Sequence, residues 1–104
     1  MNNLIEESGG KVTGWGMALG TETVTNADLA AKMDTSNEWI LERTGISERR
    51  IGGSTSGLAV RAGQQALEMA GVKATEIDLL ILATTTPDEQ VPATSAIVQD
   101  QLGL

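Results

Sequence analysis

The chain is 104 residues long, enough for one domain with a modest core. Fourteen acidic residues against seven basic ones give a net charge of −7, which disfavours nucleic acid and anionic membrane surfaces as partners. Cysteine and histidine are both missing, which excludes disulfides, thiolate and imidazole metal sites and the commonest general base, and no apolar run approaches the ~20 residues of a membrane span.

Residues 1–10, MNNLIEESGG, are polar and end in two glycines, the composition of a flexible leader. Residues 11–19 read as a strand in which Gly14 and Gly16 signal close approach by another backbone, with Trp15 between them as a packing residue. Thr25 opens a short helix over residues 26–33, with Asp28 at the capping-box position and Leu29 and Met33 one turn apart. Residues 34–45, DTSNEWILERTG, form the next helix, with Thr35 as N-cap, Glu38 completing a capping box and Gly45 as the left-handed stop. Residues 46–53 lead into a turn. Ser54 or Thr55 caps the longest helix, which ends at Gly71. Its face of Leu58, Ala62, Ala66 and Ala70, with Gly63 alongside, is small enough for tight packing. Residues 77–84, IDLLILAT, are continuously apolar, the pattern of a central strand covered on both faces, with Leu80 and Leu82 mostly buried. A loop over 84–92 follows, and Pro92 opens a last helix over 93–102 closed by Gly103. Strand, helices, strand and helix make an α/β layout.

The helix over 34–45 carries the chain's most suggestive pair. Trp39 and Arg43 are one turn apart and rise from one face. An indole plane beside a guanidinium fork suits a flat heteroaromatic base bearing phosphates, the ring stacking and the fork giving two hydrogen bonds. The competing reading makes Trp39 a core residue and Arg43 the ion-pair partner of Glu38 or Glu42. Arg43, Arg49 and Arg50 fall within eight positions, a local cationic patch on an acidic body unless Glu42 and Glu48 pair with it.

Three ordered stretches, TNADLAAKMDTSNEWILERTGISERRI, LAVRAGQQALEMAGV and IDLLILATTTPDEQVPATSAIVQDQLG, closely resemble the opening of β-ketoacyl-acyl carrier protein synthase III, over residues 12–104. The resemblance implies a layered thiolase-like α/β fold of which residues 11–104 are the incomplete N-terminal part of the first half-domain. It also implies that Thr35, Trp39 and Arg43 line the coenzyme A entrance, tryptophan stacking on adenine, arginine reaching phosphate and Thr35 offering a hydroxyl to the base. Val91 then lies in a dimer-interface loop and reaches the partner's acyl pocket, where its modest size leaves room for primers longer than acetyl. The family usually has proline where Gly20 stands, so a looser turn is expected there. The loop between the arginine run and the longest helix is shorter here than is usual.

The family's reaction joins an acyl-CoA primer to malonyl-acyl carrier protein in a cytoplasmic homodimer, with no cofactor beyond the coenzyme A thioester itself. It uses a cysteine thiolate assisted by histidine and asparagine, and none of these three can be placed in the chain. A thiolate is needed because it ionises near neutral pH. Ser95 is not a substitute, so no catalytic residue is assigned, and no carboxylate cluster has metal-ligand spacing. Two readings follow: part of a condensing enzyme, completed by the remainder of the same protein or a complementary chain, or a non-catalytic module that binds coenzyme A or a partner.

Overall fold

The computed structural model describes residues 9–104, so the expected leader lies outside the described residues apart from the exposed Gly9 and Gly10. Its elements in chain order are strand β1 (Glu22–Thr25), helix α1 (Asn26–Ala30), helix α2 (Asn37–Thr44), strand β2 (Glu48–Ile51), helix α3 (Thr55–Ala70), a single 3₁₀ turn (Ala74–Glu76) and helix α4 (Thr94–Leu102). β1 and β2 pair antiparallel, with Glu22 opposite Ile51 and Thr25 opposite Glu48.

The caps account for most helix boundaries. Thr25 accepts from the Asp28 amide while Asp28 accepts from the Thr25 amide, the expected reciprocal box. α1 nevertheless ends at Ala30, so Met33 lies beyond it and is exposed. Ser54 caps α3 through the Gly57 amide, and Gly71 and Gly103 close α3 and α4 in the left-handed region.

Neither apolar run forms a strand. A strand exists through ladder bonds to a neighbour, and residues 11–19 and 77–84 find none among the described residues. The Trp15 amide donates instead to Met69 Sδ at 3.4 Å and the Met17 amide to Gln65 Oε1 at 3.2 Å, both on α3. Over 77–84, Leu80 and Leu82 are only half-buried, while Leu79 and Ile81 are 75% and 80% exposed. Trp15, expected to pack, is exposed as well.

The close approach expected at Gly14 and Gly16 is present, against a helix. A Cβ on Gly14 would run into the Ala66 carbonyl and stand 2.9 Å from the Ala70 nitrogen. On Gly16 it would strike the Ala62 carbonyl and come within 2.6 Å of Gln65 Cβ. The small-residue face of α3 is thus what the glycine segment lies on, and Gly63 on its flank receives Leu102 of α4. Gly20 is buried, and a Cβ there would sit 2.5 Å from the Ile51 carbonyl carbon.

Three apolar side chains are buried among the described residues, Val24, Ile40 and Val98, and the Cα radius of gyration is 18.5 Å. A compact domain of this length has a radius near ~13 Å, so the layers are spread, as in a portion of a larger α/β fold. No helix of the described residues is long and apolar enough to cross a membrane.

Candidate functional site on helix α2

α2 is one residue shifted from its expected start. The N-cap is Ser36, extended at φ −142° and ψ 157°, whose hydroxyl accepts from the Trp39 amide at 3.2 Å. Thr35 belongs to the preceding turn, donating its amide to the Met33 carbonyl at 2.9 Å, so the expected Thr35–Glu38 capping box does not form. Both hydroxyl residues have the chemistry of a cap; the turn leaving α1 decides between them. Gly45 ends the helix at φ 69°, and Thr44 Oγ1 bridges the exit by donating to the Ile40 carbonyl and accepting from the Ile46 amide.

The shift frees Thr35. Its side-chain oxygen is buried with no hydrogen-bond partner, an arrangement that costs free energy until a donor or acceptor arrives. It lines a recess of about 310 Å³ shared with Asp34, Ser36 and Trp39. Trp39 is 53% exposed, which removes it from the core. The Arg43 guanidinium carbon lies 5.1 Å from the centroid of the indole ring, within cation–π range. The helix therefore brings an aromatic plane and a cation together on its exposed face, next to the turn that holds the buried, unpartnered Thr35 hydroxyl.

The three-arginine patch does not hold together. Arg49 is half-buried and points inward, donating from Nη1 to the Val24 carbonyl at 3.2 Å and from Nη2 to Asn26 Oδ1 at 2.8 Å. Its partners are neither Glu42 nor Glu48. Arg43 and Arg50 remain exposed.

Val91 is 81% exposed on the loop over 84–92, away from the α2 recess in sequence and lining. That loop is tied to the start of α3, where Thr55 Oγ1 donates to the Thr86 carbonyl at 2.5 Å. Asp88 makes further bonds to Ser56 and Thr94. Ser95 is half-buried in the first turn of α4. Among the described residues no group of three or more His, Cys, Asp or Glu side chains is placed to hold a metal ion.

Sequence reasoning missed the β1–β2 pair and the Asn26–Arg49 bond. Two four-residue strands separated by two helices give no hairpin signal, because the turn chemistry that marks hairpins applies to neighbouring strands. The one available hint was an arginine run in which alternate residues face opposite sides of a strand.

No protein-family model matches the chain. It is 55% identical over 96 residues to the β-ketoacyl-[acyl-carrier-protein] synthase III of Bradyrhizobium diazoefficiens, covering 89% of this chain and 29% of that one. It is 53% identical over 95 residues to the enzyme of the same name from Roseiflexus castenholzii, again 29% of the relative. Among solved structures, the 3-oxoacyl-[acyl-carrier-protein] synthase III of Aquifex aeolicus superposes with a TM-score of 0.85 at 44% identity, over 91% of this chain and 32% of that one. The chain thus spans less than a third of the length of these proteins, and its fold is that of a portion of a thiolase-fold condensing enzyme.

Proposed function

We propose, from the chain's correspondence to the N-terminal portion of β-ketoacyl-[acyl-carrier-protein] synthase III, that it forms the coenzyme A entrance of a condensing enzyme. That enzyme joins an acyl-CoA primer to malonyl-acyl carrier protein and acts as a cytoplasmic homodimer, with the coenzyme A thioester as substrate and no separate cofactor. Residues 11–104 are the incomplete first half-domain, and the acyl-accepting cysteine with its histidine and asparagine comes from the rest of that enzyme. Trp39 stacks on the adenine, Arg43 turns from the ring to the phosphates, and Thr35 supplies its hydroxyl to the base. Val91 lies at the dimer contact and, being small, leaves room for acyl chains longer than acetyl.

The observation that carries this reading is the corner on α2: an exposed indole with a guanidinium 5.1 Å from its centroid, beside a buried hydroxyl that has no partner. Stacking on an aromatic contributes ~1–3 kcal/mol in the related case of nucleic-acid bases, and a charge-assisted bond to phosphate about 1.5–3 kcal/mol. In the full-length enzyme, Trp39→Ala and Arg43→Ala should each weaken binding of the CoA ester roughly tenfold to a hundredfold. Both contacts are remote from the thioester, so the chemical step should be preserved. Titration with CoA, dephospho-CoA and pantetheine esters is the test. An equal loss on the pantetheine ester after Trp39→Ala would exclude the nucleotide assignment.

A further inference from the structure

We infer that Asn26 is the positioning residue of this entrance: its buried amide grips both ends of α2 and so orients Trp39 and Arg43. The inference rests on the reading of α2 as the nucleotide dock.

Asn26 is the first residue of α1, a position whose side chain ordinarily meets solvent, yet it is 1% exposed. Every hydrogen-bonding group of its side-chain amide is engaged. Nδ2 donates to Asn37 Oδ1 at 2.9 Å and to the Ile46 carbonyl at 2.9 Å, while Oδ1 accepts from Arg49 Nη2 at 2.8 Å. Its backbone amide donates to the Ser47 carbonyl at 3.1 Å. Asn37 is the first residue of α2, and Ile46 follows its Gly45 cap. One amide group therefore fixes where the helix begins and where it leaves, and the Trp39–Arg43 pair lies between the two fixed points.

Apolar packing contributes little to that orientation. Ile40 is the one buried residue of α2, on a helix only ~12 Å long. A rotation about Ile40 would carry the indole and the guanidinium away from Thr35, and the Asn26 bonds oppose it. Arg49 locks the other side of Asn26 to β1 through the Val24 carbonyl, so the frame holding the amide is itself held. A network closed on a buried amide favours one arrangement, because any slip leaves the Asn26 amide unpaired away from water. Asn26 does not line the recess and acts only through α2.

The test is made in the full-length enzyme with free CoA and with acetyl esters of CoA and pantetheine. Asn26→Ala removes every side-chain bond. Asn37→Ala is the milder variant, since Asn37 is exposed and Ser36 still caps the helix. Asn37→Asp keeps the acceptor oxygen and should restore the interaction. CoA affinity should fall about tenfold or more for Asn26→Ala and roughly three- to tenfold for Asn37→Ala. Asn37→Asp should stay near wild type, with KM for acetyl-pantetheine and kcat on both esters unchanged. If Asn26→Ala does not fold, the Asn37 pair decides. Wild-type CoA affinity in Asn37→Ala, alongside a large loss in Trp39→Ala, would overturn the positioning role and leave the dock intact. An equal loss on the pantetheine ester would reduce Asn26 to general stability. Unchanged CoA affinity in Trp39→Ala would remove the dock itself.

Discussion

The Asp88 carboxylate accepts a hydrogen bond from the Ser56 amide at 3.0 Å, joining the loop over 84–92 to the first turn of α3 across 32 residues of chain. The Asp88 amide in turn donates to Thr94 Oγ1 at 3.1 Å, so the same residue also ties the loop to α4. The Ser56 hydroxyl, then the Ser56 and Thr55 amides, hold the Asp88 carboxyl below the usual carboxylate range. A depressed folded-state pKa means that the ionised form favours the folded tether. The contribution is present above the ordinary carboxylate pKa and is lost as pH falls through the lower folded value. The protection of the Ser56 amide, its exchange rate relative to an unstructured peptide at the same pH, should therefore be high at neutral pH and fall below about pH 4. Asp88→Ala should show the reduced protection at every pH, and unchanged protection in that variant would dissociate Asp88 from the tether.

The packing of residues 11–19 on α3 predicts an asymmetric response to added methyl groups. Gly16→Ala places a carbon against the Ala62 carbonyl and the Gln65 Cβ, neither of which has room to yield cheaply. It should destabilise the full-length enzyme by about 1–3 kcal/mol in denaturant unfolding, as overpacking does. Gly9→Ala, with nothing within 4 Å, should be silent. Equal midpoints for both variants would show that the glycine segment separates from the helix.

Val91→Phe in the full-length enzyme should narrow the primer range toward acetyl-CoA. The measurement is the ratio of kcat/KM values for acetyl-CoA and a branched or longer acyl-CoA. One methyl-sized step in an apolar pocket discriminates by about 10–200-fold, so a shift within or above that range is expected. An unmoved ratio would take Val91 out of the acyl pocket.

The purified 104-residue chain should show no condensing turnover, since it has no cysteine to accept an acyl group. It should also self-associate. Trp15, Met17, Leu79 and Ile81 expose apolar side chains, on or beside backbone that lacks a strand ladder, and such edges invite pairing with another chain. Sedimentation velocity should reveal concentration-dependent oligomers. A stable monomer at high concentration would mean that these segments shield one another in solution.

The helices were legible because their signals are local. Thr25 with Asp28, Gly45, Ser54, Gly71 and Gly103 mark ends through contacts within a few residues, and the structure uses each of them. The Trp39–Arg43 pair was legible for the same reason, as one turn of helix is enough to define it. The apolar run over 77–84 gave the right residue type for a strand but not its ladder, which depends on a neighbour that no local pattern supplies. Arg49 shows the opposite error. Its position beside Arg43 and Arg50 suggested a shared patch, while strand alternation turned it inward to Asn26. Choosing Ser36 over Thr35 depended on a turn geometry that two adjacent cap-competent residues leave open in sequence.

The frame that holds α2 is short in sequence as well as in space. β1, α1, α2, β2 and the Asn26–Arg49 bond all fall between residues 22 and 51, and no partner in that frame is more than 29 positions from another. Contacts of small sequence separation close with little loop entropy and form early. The segments over 11–19 and 77–84, by contrast, have no strand ladder among the described residues, and the first rests on α3, 48 to 54 positions away. During synthesis, the frame around α2 should thus acquire protected amides before residues 77–84 become ordered. Pulse-labelled hydrogen exchange on stalled nascent chains would see that order directly, with the Asn26 and Ile46 amides slowed before those of Leu80 and Leu82.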